Sequence, residues 1–185
     1  MSAWLADESE AADTYGEISA WDVSGVTTMS RLFYEAQEFN GDLSAWDVSK
    51  VVDMSRIFDG DISFNGDLSA WDVSGVDDMS YMFRSTAFNG SLAAWDVSGV
   101  TKMAAMFNYA SSFNGDLSGW DVSGVKDTRA MFHSASMFNG DLSAWDAVPR
   151  KTTGSILAIL YSKSIIFISM DSLRLKHDEN RSHGH

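Results

Sequence analysis

Two alternating patterns of apolar and polar residues succeed each other along this chain. In Trp46-Asp47-Val48-Ser49 the period is two residues, which predicts a half-buried strand with Trp46 and Val48 facing inward. A wider spacing follows, with apolar residues three or four positions apart. In the first copy these are Val26, Met29, Leu32, Phe33, Ala36 and Phe39. This spacing predicts one face of a short helix.

The two patterns together form a tandem repeat marked by tryptophan. Trp recurs at positions 21, 46, 71, 95, 120 and 145, at intervals of 25, 25, 24, 25 and 25 residues. Asn-Gly, followed by Asp in four of the five units as at 40–42, is a turn signal near the end of each unit. One unit cannot bury its apolar face alone, so neighbouring units must stack. The five full units are 21–45, 46–70, 71–94, 95–119 and 120–144.

A strand and a helix in every unit predict an α/β fold, a right-handed leucine-rich-repeat-like solenoid. The alternative is an all-β solenoid, in which the Met-Phe stretch also forms strands; the spacing of three and four residues favours the helix. Three departures from the repeat predict local distortion of that helix. They are the shortened third unit, Asp59-Gly60-Asp61 in the second, and Thr128 in place of a core Met.

The two ends of the chain depart from the repeat. Residues 1–14 form a predicted helical cap, with Trp4 and Leu5 covering the first unit. The repeats span 15–148, and Tyr15-Gly16-Glu17-Ile18-Ser19 resembles the entry turn of a unit. Residues 149–185 form an atypical or non-native tail. Its apolar stretch, 156–170, is shorter than the roughly 20 residues of a membrane-spanning helix.

Charge limits the expected partners. The formal net charge is −13, with 7 basic and 23 acidic residues among the first 149. So acidic a chain repels nucleic acid and anionic membranes and favours cations or basic proteins. Cysteine is absent, which excludes disulfides and cysteine metal sites. The first ten residues show no signal peptide, and they leave the location of the protein open.

The Asp and Ser of each Trp-Asp-Val-Ser are the candidate binding residues. They should lie in two columns on the solvent side of the predicted sheet. One hypothesis is that these columns bind a basic partner or cations; the other is that each Asp only bonds the neighbouring Ser. Calcium is a possible ligand, although it requires several converging oxygens. The candidate residues are Asp22, Ser24, Asp47, Ser49, Asp72, Ser74, Asp96, Ser98, Asp121 and Ser123.

Other recurring residues are better explained by structure. The Asn of each Asn-Gly is predicted to bond backbone groups of the next unit while buried. The Trp and Met columns are predicted to fill the core. A variable column on the predicted helix should form a solvated face. It contains Arg31, Arg56, Tyr81, Ala105 and Ala130. No motif of nucleophilic catalysis, phosphate binding or zinc binding is visible, and the chain is not expected to be an enzyme.

The units FNGDLSAWDVSKVVDMSRIF, FNGSLAAWDVSGVTKMAAMF and FNGDLSGWDVSGVKDTRAMF resemble the BspA-like leucine-rich-repeat surface proteins, over residues 15–146. The resemblance implies a solenoid related to leucine-rich repeats, display at a cell surface, and a role in adhesion or protein interaction. It implies no catalytic activity or resident cofactor. We expect a monomer that binds a protein or another cell-surface ligand, or alternatively a structural spacer without a dedicated site.

Overall fold

The computed structural model describes residues 8–147. Its regular elements are one α-helix, α1 at Glu8–Tyr15, and two short 3₁₀ helices at Ile18–Ala20 and Ser143–Ala147. This range contains no continuous strand. Single residues of successive units pair instead through isolated parallel bridges. The bridges join Thr28, Asp53, Asp78, Lys102 and Asp127, one residue from each unit. Five repeat units therefore stack in register, with most of the chain in turns.

The stretch predicted to be helical is a series of overlapping three-residue turns. In the second unit the N–H of Ile57 donates to the carbonyl of Met54 at 3.3 Å, and the N–H of Asp59 donates to Arg56 at 3.2 Å. The N–H of Asp61 donates to Phe58 at 3.0 Å. We call residues 29–36 and their equivalents the turn segment. Its bonds span three residues, so the apolar spacing resembles that of a helix without forming one.

Two positions in every turn segment have left-handed backbone, which an α-helix cannot contain. The first is the variable column that was predicted to lie on a helix; its φ angles run from 54° at Ala105 to 61° at Tyr81. The second column follows four residues later. It comprises Glu35, Gly60, Ser85, Tyr109 and Ser134. The predicted helix of each unit is therefore wrong, and so is the α/β solenoid built on it.

Hydrogen bonds between units explain why this backbone is stable. Alternate N–H groups of the second turn segment donate to the third unit: Arg56 to the carbonyl of Ser80 at 2.9 Å, and Phe58 to Met82 at 3.1 Å. The same bonds recur between the other neighbouring units. A helix would satisfy these N–H groups within its own segment. Here the stack satisfies them, so the local conformation depends on the neighbouring unit.

The predicted strand is also absent from the described residues, although its alternation is present. Trp46 and Val48 are buried, while Asp47 and Ser49 are exposed. The chain turns on either side, where the N–H of Trp46 donates to Leu43 at 3.1 Å and that of Val51 to Val48 at 2.9 Å. Neither the strand face nor the alternative all-β solenoid is therefore found. Alternating burial identified the correct inward residues but not the backbone that presents them.

The core consists of stacked columns of large side chains, as the repeat predicted. Phe83 packs between Phe58 and Phe107, with ring centroids 5.8 and 5.6 Å away. Four buried Trp side chains bond backwards to a carbonyl 27 or 28 residues earlier in the chain, at Trp46, Trp71, Trp95 and Trp120; the Trp71 Nε1–H, for example, donates to the carbonyl of Leu43 at 3.0 Å. Stacked rings add specific contacts to the burial of apolar area, and the indole bond fixes the register between units.

The amino-terminal segment prepares the chain for the first full unit. Helix α1 ends where the N–H of Gly16, at φ 76°, donates to the carbonyl of Ala12 at 2.9 Å. Ile18 is then buried, and its carbonyl accepts the Trp46 Nε1–H at 2.9 Å. Ile18 thus replaces the repeat leucine, as the resemblance of 15–19 to an entry turn predicted. The proposed cover by Trp4 and Leu5, and the tail 149–185, lie outside the described residues.

Candidate functional site

The Asp of each Trp-Asp-Val-Ser forms a closed turn with the Ser two residues later. The Oδ1 atom of Asp47 accepts the Ser49 N–H at 3.1 Å and the Ser49 hydroxyl at 2.6 Å. The other units repeat this arrangement, and all five carboxylates are exposed. It is an Asx turn, in which a short acidic side chain satisfies a nearby backbone N–H. The structure thus brings each candidate Asp together with its own candidate Ser.

These carboxylates are held in the ionised form. The serine hydroxyl and then the serine N–H lower the pKa of Asp72 below its ordinary value, against smaller opposing effects from Asp47 and Asp96. The pKa of Asp96 is lowered by the same two bonds from Ser98. A hydrogen bond to a carboxylate favours its charged form, and the exposed position keeps the cost of desolvation small. The row is therefore fully charged at neutral pH.

A second row of carboxylates lies five residues before the first. The Oδ1 atom of Asp42 accepts the Ser44 N–H at 2.9 Å, and Asp67 does the same with Ser69 at 2.9 Å. Ser91 interrupts this row in the third unit. We call the two rows together the acidic face. It comprises Asp22, Asp42, Asp47, Asp67, Asp72, Asp96, Asp116, Asp121 and Asp141.

The asparagines join the units along the edge of the acidic face. The N–H of Asn65 donates to the Oδ1 atom of Asn40 at 2.8 Å, and the N–H of Asn89 donates to Asn65 at the same distance. The bond recurs at Asn114 and Asn139. The predicted structural role is thus confirmed, but the side chains are exposed rather than buried. A side chain can join units from the surface when its amide oxygen alone reaches inward.

The described residues give little structural support for a metal site. Between residues 8 and 147, no group of three or more His, Asp or Glu side chains lies in an arrangement that could hold a metal ion. In every carboxylate of the first row, Oδ1 already accepts a hydrogen bond from its own serine. Each unit therefore has one carboxylate oxygen of this row, Oδ2, left for a metal ion. Calcium binding by the acidic face stays a prediction for measurement in solution.

A second group of polar residues was missed by the sequence analysis. Asp59 is fully buried, and its two oxygens accept Arg56 Nη1–H at 2.8 Å and Arg84 Nε–H at 2.6 Å. The Arg56 guanidinium lies 3.9 Å above the centre of the Tyr81 ring. We call Arg56, Asp59, Tyr81 and Arg84 the arginine cluster. The departure Asp59-Gly60-Asp61 was its only signal in the sequence, and it was interpreted as a distortion.

Asp61 is a second buried carboxyl in the same unit. It replaces a small core residue, Ala36 or Ala110 in other units, and is completely buried. Its Oδ1 accepts the Ser63 N–H at 3.2 Å, while Oδ2 has no hydrogen-bond partner among the described residues. Burial raises the pKa of Asp61 to about 7, although backbone bonds from Ser63 and Phe64 oppose the shift. Asp61 thus changes its charge near neutral pH.

Comparison with known proteins identifies a family. No helix among residues 8–147 is long and apolar enough to cross a membrane. Searches of curated proteins and of solved structures give no match. A family model described as "Mycoplasma protein of unknown function, DUF285" matches twice, over residues 4–92 and 76–160, and these two matches cover most of the chain. The tandem repeat protein described above therefore belongs to the DUF285 family.

Proposed function

We propose that this protein is a non-catalytic interaction module of the surface-repeat type, acting through its acidic face. The resemblance to BspA-like leucine-rich-repeat surface proteins supports display at a cell surface and adhesion. The observation that carries the proposal is the pair of regularly spaced rows of exposed carboxylates, whose pKa values are lowered by serine bonds. Charges fixed at regular intervals attract a partner before any close contact forms.

A basic protein segment is the partner that fits this face. The first 149 residues contain 7 basic and 23 acidic side chains, so the field around the repeats is strongly negative. Lys50 is the basic residue whose charge favours ionisation of both Asp22 and Asp47. Complementary charge raises the association rate and selects against acidic competitors. Nucleic acid and anionic membranes would be repelled by the same field.

The experiment neutralises charge without removing the turn. In Asp72→Asn with Asp96→Asn, each amide oxygen still accepts the serine N–H, because Asn forms the same Asx turn. Binding of an oligolysine peptide to the full chain should weaken by about threefold or more, since two exposed ion pairs are lost. The matched control is Asp13→Asn with Glu38→Gln, two exposed acids outside the acidic face. Equal loss in both double variants would refute the proposal.

A structural spacer without a dedicated site is the second candidate. The observation that favours it is the closure of every Asp on its own serine, which a purely structural turn also requires. If the protein is a spacer, the folded chain should bind the oligolysine peptide no more tightly than an equally acidic unfolded chain does. Neither double variant should then change this background binding.

Calcium titration separates a cation site from a protein-binding face. A ligand that binds only the folded state stabilises it by RT ln(1 + [L]/Kd). A saturable rise of the melting temperature with calcium, absent with magnesium and abolished by Asp72→Asn with Asp96→Asn, would assign a calcium site to the acidic face. An unchanged melting temperature would leave this face to basic protein partners.

A further inference from the structure

The turn segment contains the position that varies most among the five units. Trp-Asp-Val-Ser and Asn-Gly recur in every unit. By contrast, the residue after the first core Phe of each unit, which is Phe33 in the first unit, is different in all five. Because the units share one backbone, the stack does not require one particular residue at this position. A partner that must recognise one site of a repeat protein needs such non-repeating residues. The five residues are Tyr34, Asp59, Arg84, Asn108 and His133.

Left-handed backbone projects two further varying columns into the same region. The first contains Arg56 and Tyr81, and the second contains Tyr109, whose ring meets His133 edge-on at 5.6 Å. We call the side chains of these three columns that reach the surface the turn face; Asp59, Ala105 and Asn108 are buried beneath it. Tyr, Arg and His occur here, while Asp and Ser dominate the acidic face. Tyr and Arg are the residue types that contribute most to binding in protein interfaces.

The arginine cluster is held in place before any partner arrives. Asp59 is fully buried and fixes one N–H of Arg56 and one of Arg84. Each guanidinium has five N–H donors, so most remain available for another acceptor. The arginine side chains are 27% and 36% exposed, and Tyr81 lies beneath both, at 3.9 and 5.6 Å. Two cations share one buried carboxylate, which leaves the cluster with a net positive charge.

We propose that the turn face is a second interaction surface, which binds an acidic segment of a partner protein with the arginine cluster at its centre. A carboxylate fits the planar guanidinium with two parallel hydrogen bonds, and Tyr81 provides an apolar surface beside it. The site is distinct from the acidic face and does not depend on it. The acidic face supplies long-range attraction and repulsion, and the turn face supplies recognition of sequence.

The test begins with a random peptide library displayed on phage and selected on the full chain. The acidic face should select basic peptides, and the turn face should select a separate class of peptides enriched in Asp and Glu. The affinity of this acidic class is then measured for Arg56→Ala with Tyr81→Ala. Both substitutions are compatible with the backbone, because Ala105 and Ala130 occupy the same left-handed position in other units, at φ 54° and 55°. Arg84 remains to pair with Asp59.

The matched control is Lys50→Ala with Tyr15→Ala, which removes one cation and one exposed tyrosine elsewhere. The turn-face variant should bind the selected acidic peptides about tenfold or more weakly, the loss typical of interface hot spots. The control should bind like the wild type.

Four results would overturn the proposal. Three of them are a selected pool without an acidic class of peptides, equal binding of that class by the two double variants, and failure of the library to yield any binding peptide. Tighter binding of single-stranded DNA than of the selected acidic peptides, lost in the turn-face variant, would assign the surface to phosphates instead. Asp72→Asn with Asp96→Asn separates this test from the previous one, because it should weaken oligolysine binding and leave the acidic peptides bound.

Discussion

The acidic face and the turn face belong to the same units but differ in how their residues are constrained. On the acidic face and along its edge most exposed side chains recur because they close a turn, as Asp47 does, or join two units, as Asn65 does. On the turn face the residue after the core Phe never recurs. Exposure alone therefore does not indicate freedom to vary. What distinguishes the two faces is whether a hydrogen bond to the backbone requires the same side chain from unit to unit.

The same turn also behaves differently in the two regions. Asp67 and Asp61 each accept the N–H of a serine two residues later. The pKa of exposed Asp67 is lowered by the backbone and hydroxyl bonds of Ser69. The pKa of buried Asp61 is raised to about 7 because desolvation exceeds the same kind of bond. Burial thus reverses the pKa shift of a carboxyl that accepts the same kind of serine N–H bond.

The largest effect should come from the core layer that supports both faces. Phe83→Ala removes a fully buried ring that is stacked on Phe88 at 4.2 Å. We expect the free energy of unfolding to fall by about 3–5 kcal/mol. Urea denaturation measures it, with Ile62→Ala as the control, because Ile62 is 62% exposed. Equal losses of unfolding free energy in the two variants would show that the phenylalanine columns do not stabilise the stacked units.

Asp61→Ala tests the contrast between the two carboxyls. The folded pKa of about 7 lies above the ordinary 3.8, so the native state binds this proton more tightly. Its stabilisation is complete below pH 3.8 and is lost as the pH rises through 7. The wild type should therefore lose on the order of 3–4 kcal/mol relative to Asp61→Ala across that range.

Asp67→Asn is the control for the titration, and the sign of its effect is opposite. The pKa of Asp67 is lowered, so its contribution is present at neutral pH and is lost as the pH falls. Unfolding free energies from urea curves at several pH values measure both. If the difference in unfolding free energy between the wild type and Asp61→Ala does not change with pH, the carboxyl group of Asp61 is not desolvated in the folded state.

Ala130→Gly distinguishes the left-handed turn from a helix by the sign of its effect. At φ 55° Ala is strained and Gly is not, so the variant should be more stable by about 1 kcal/mol. In a helix the same change would cost about 1 kcal/mol. Ala135→Gly is the control, because Ala135 is buried and lacks a positive φ, and it should destabilise. Thermal unfolding measures both.

The sequence was sufficient to find the repeat, the inward residues and the structural role of the asparagines. The Trp and Phe columns required only the spacing of large apolar residues, which any stacked unit must bury. Ile18 was recognisable because residues 15–19 resemble an entry turn. The Trp, Phe and Ile18 assignments depend on which residues are inside, and burial leaves a direct record in the sequence. The asparagines are exposed and were recognised by their recurrence in a turn signal.

The backbone could not be predicted because three-residue turns and a helix give similar apolar spacing. Arg31, Tyr81 and Ala105 carry no sign of left-handed φ, which is commonly met by Gly or Asn. Their conformation is fixed by N–H groups that donate to the next unit, such as Tyr81 to Ala104 at 2.8 Å. The arginine cluster was hidden for the same reason, since Asp59 and Arg84 are 25 residues apart and meet only after stacking.

The most direct test of the contrast between the faces compares two exposed residues of the same unit. Asn114→Ala removes the acceptor of the Asn139 N–H, bonded at 2.8 Å, whereas Tyr109→Ser introduces the residue already present at Ser85 and Ser134. Urea denaturation should show a loss of about 0.5–1.5 kcal/mol for Asn114→Ala and almost none for Tyr109→Ser. Equal losses, or a larger loss for Tyr109→Ser, would contradict the division into a repeated structural face and a variable recognition face.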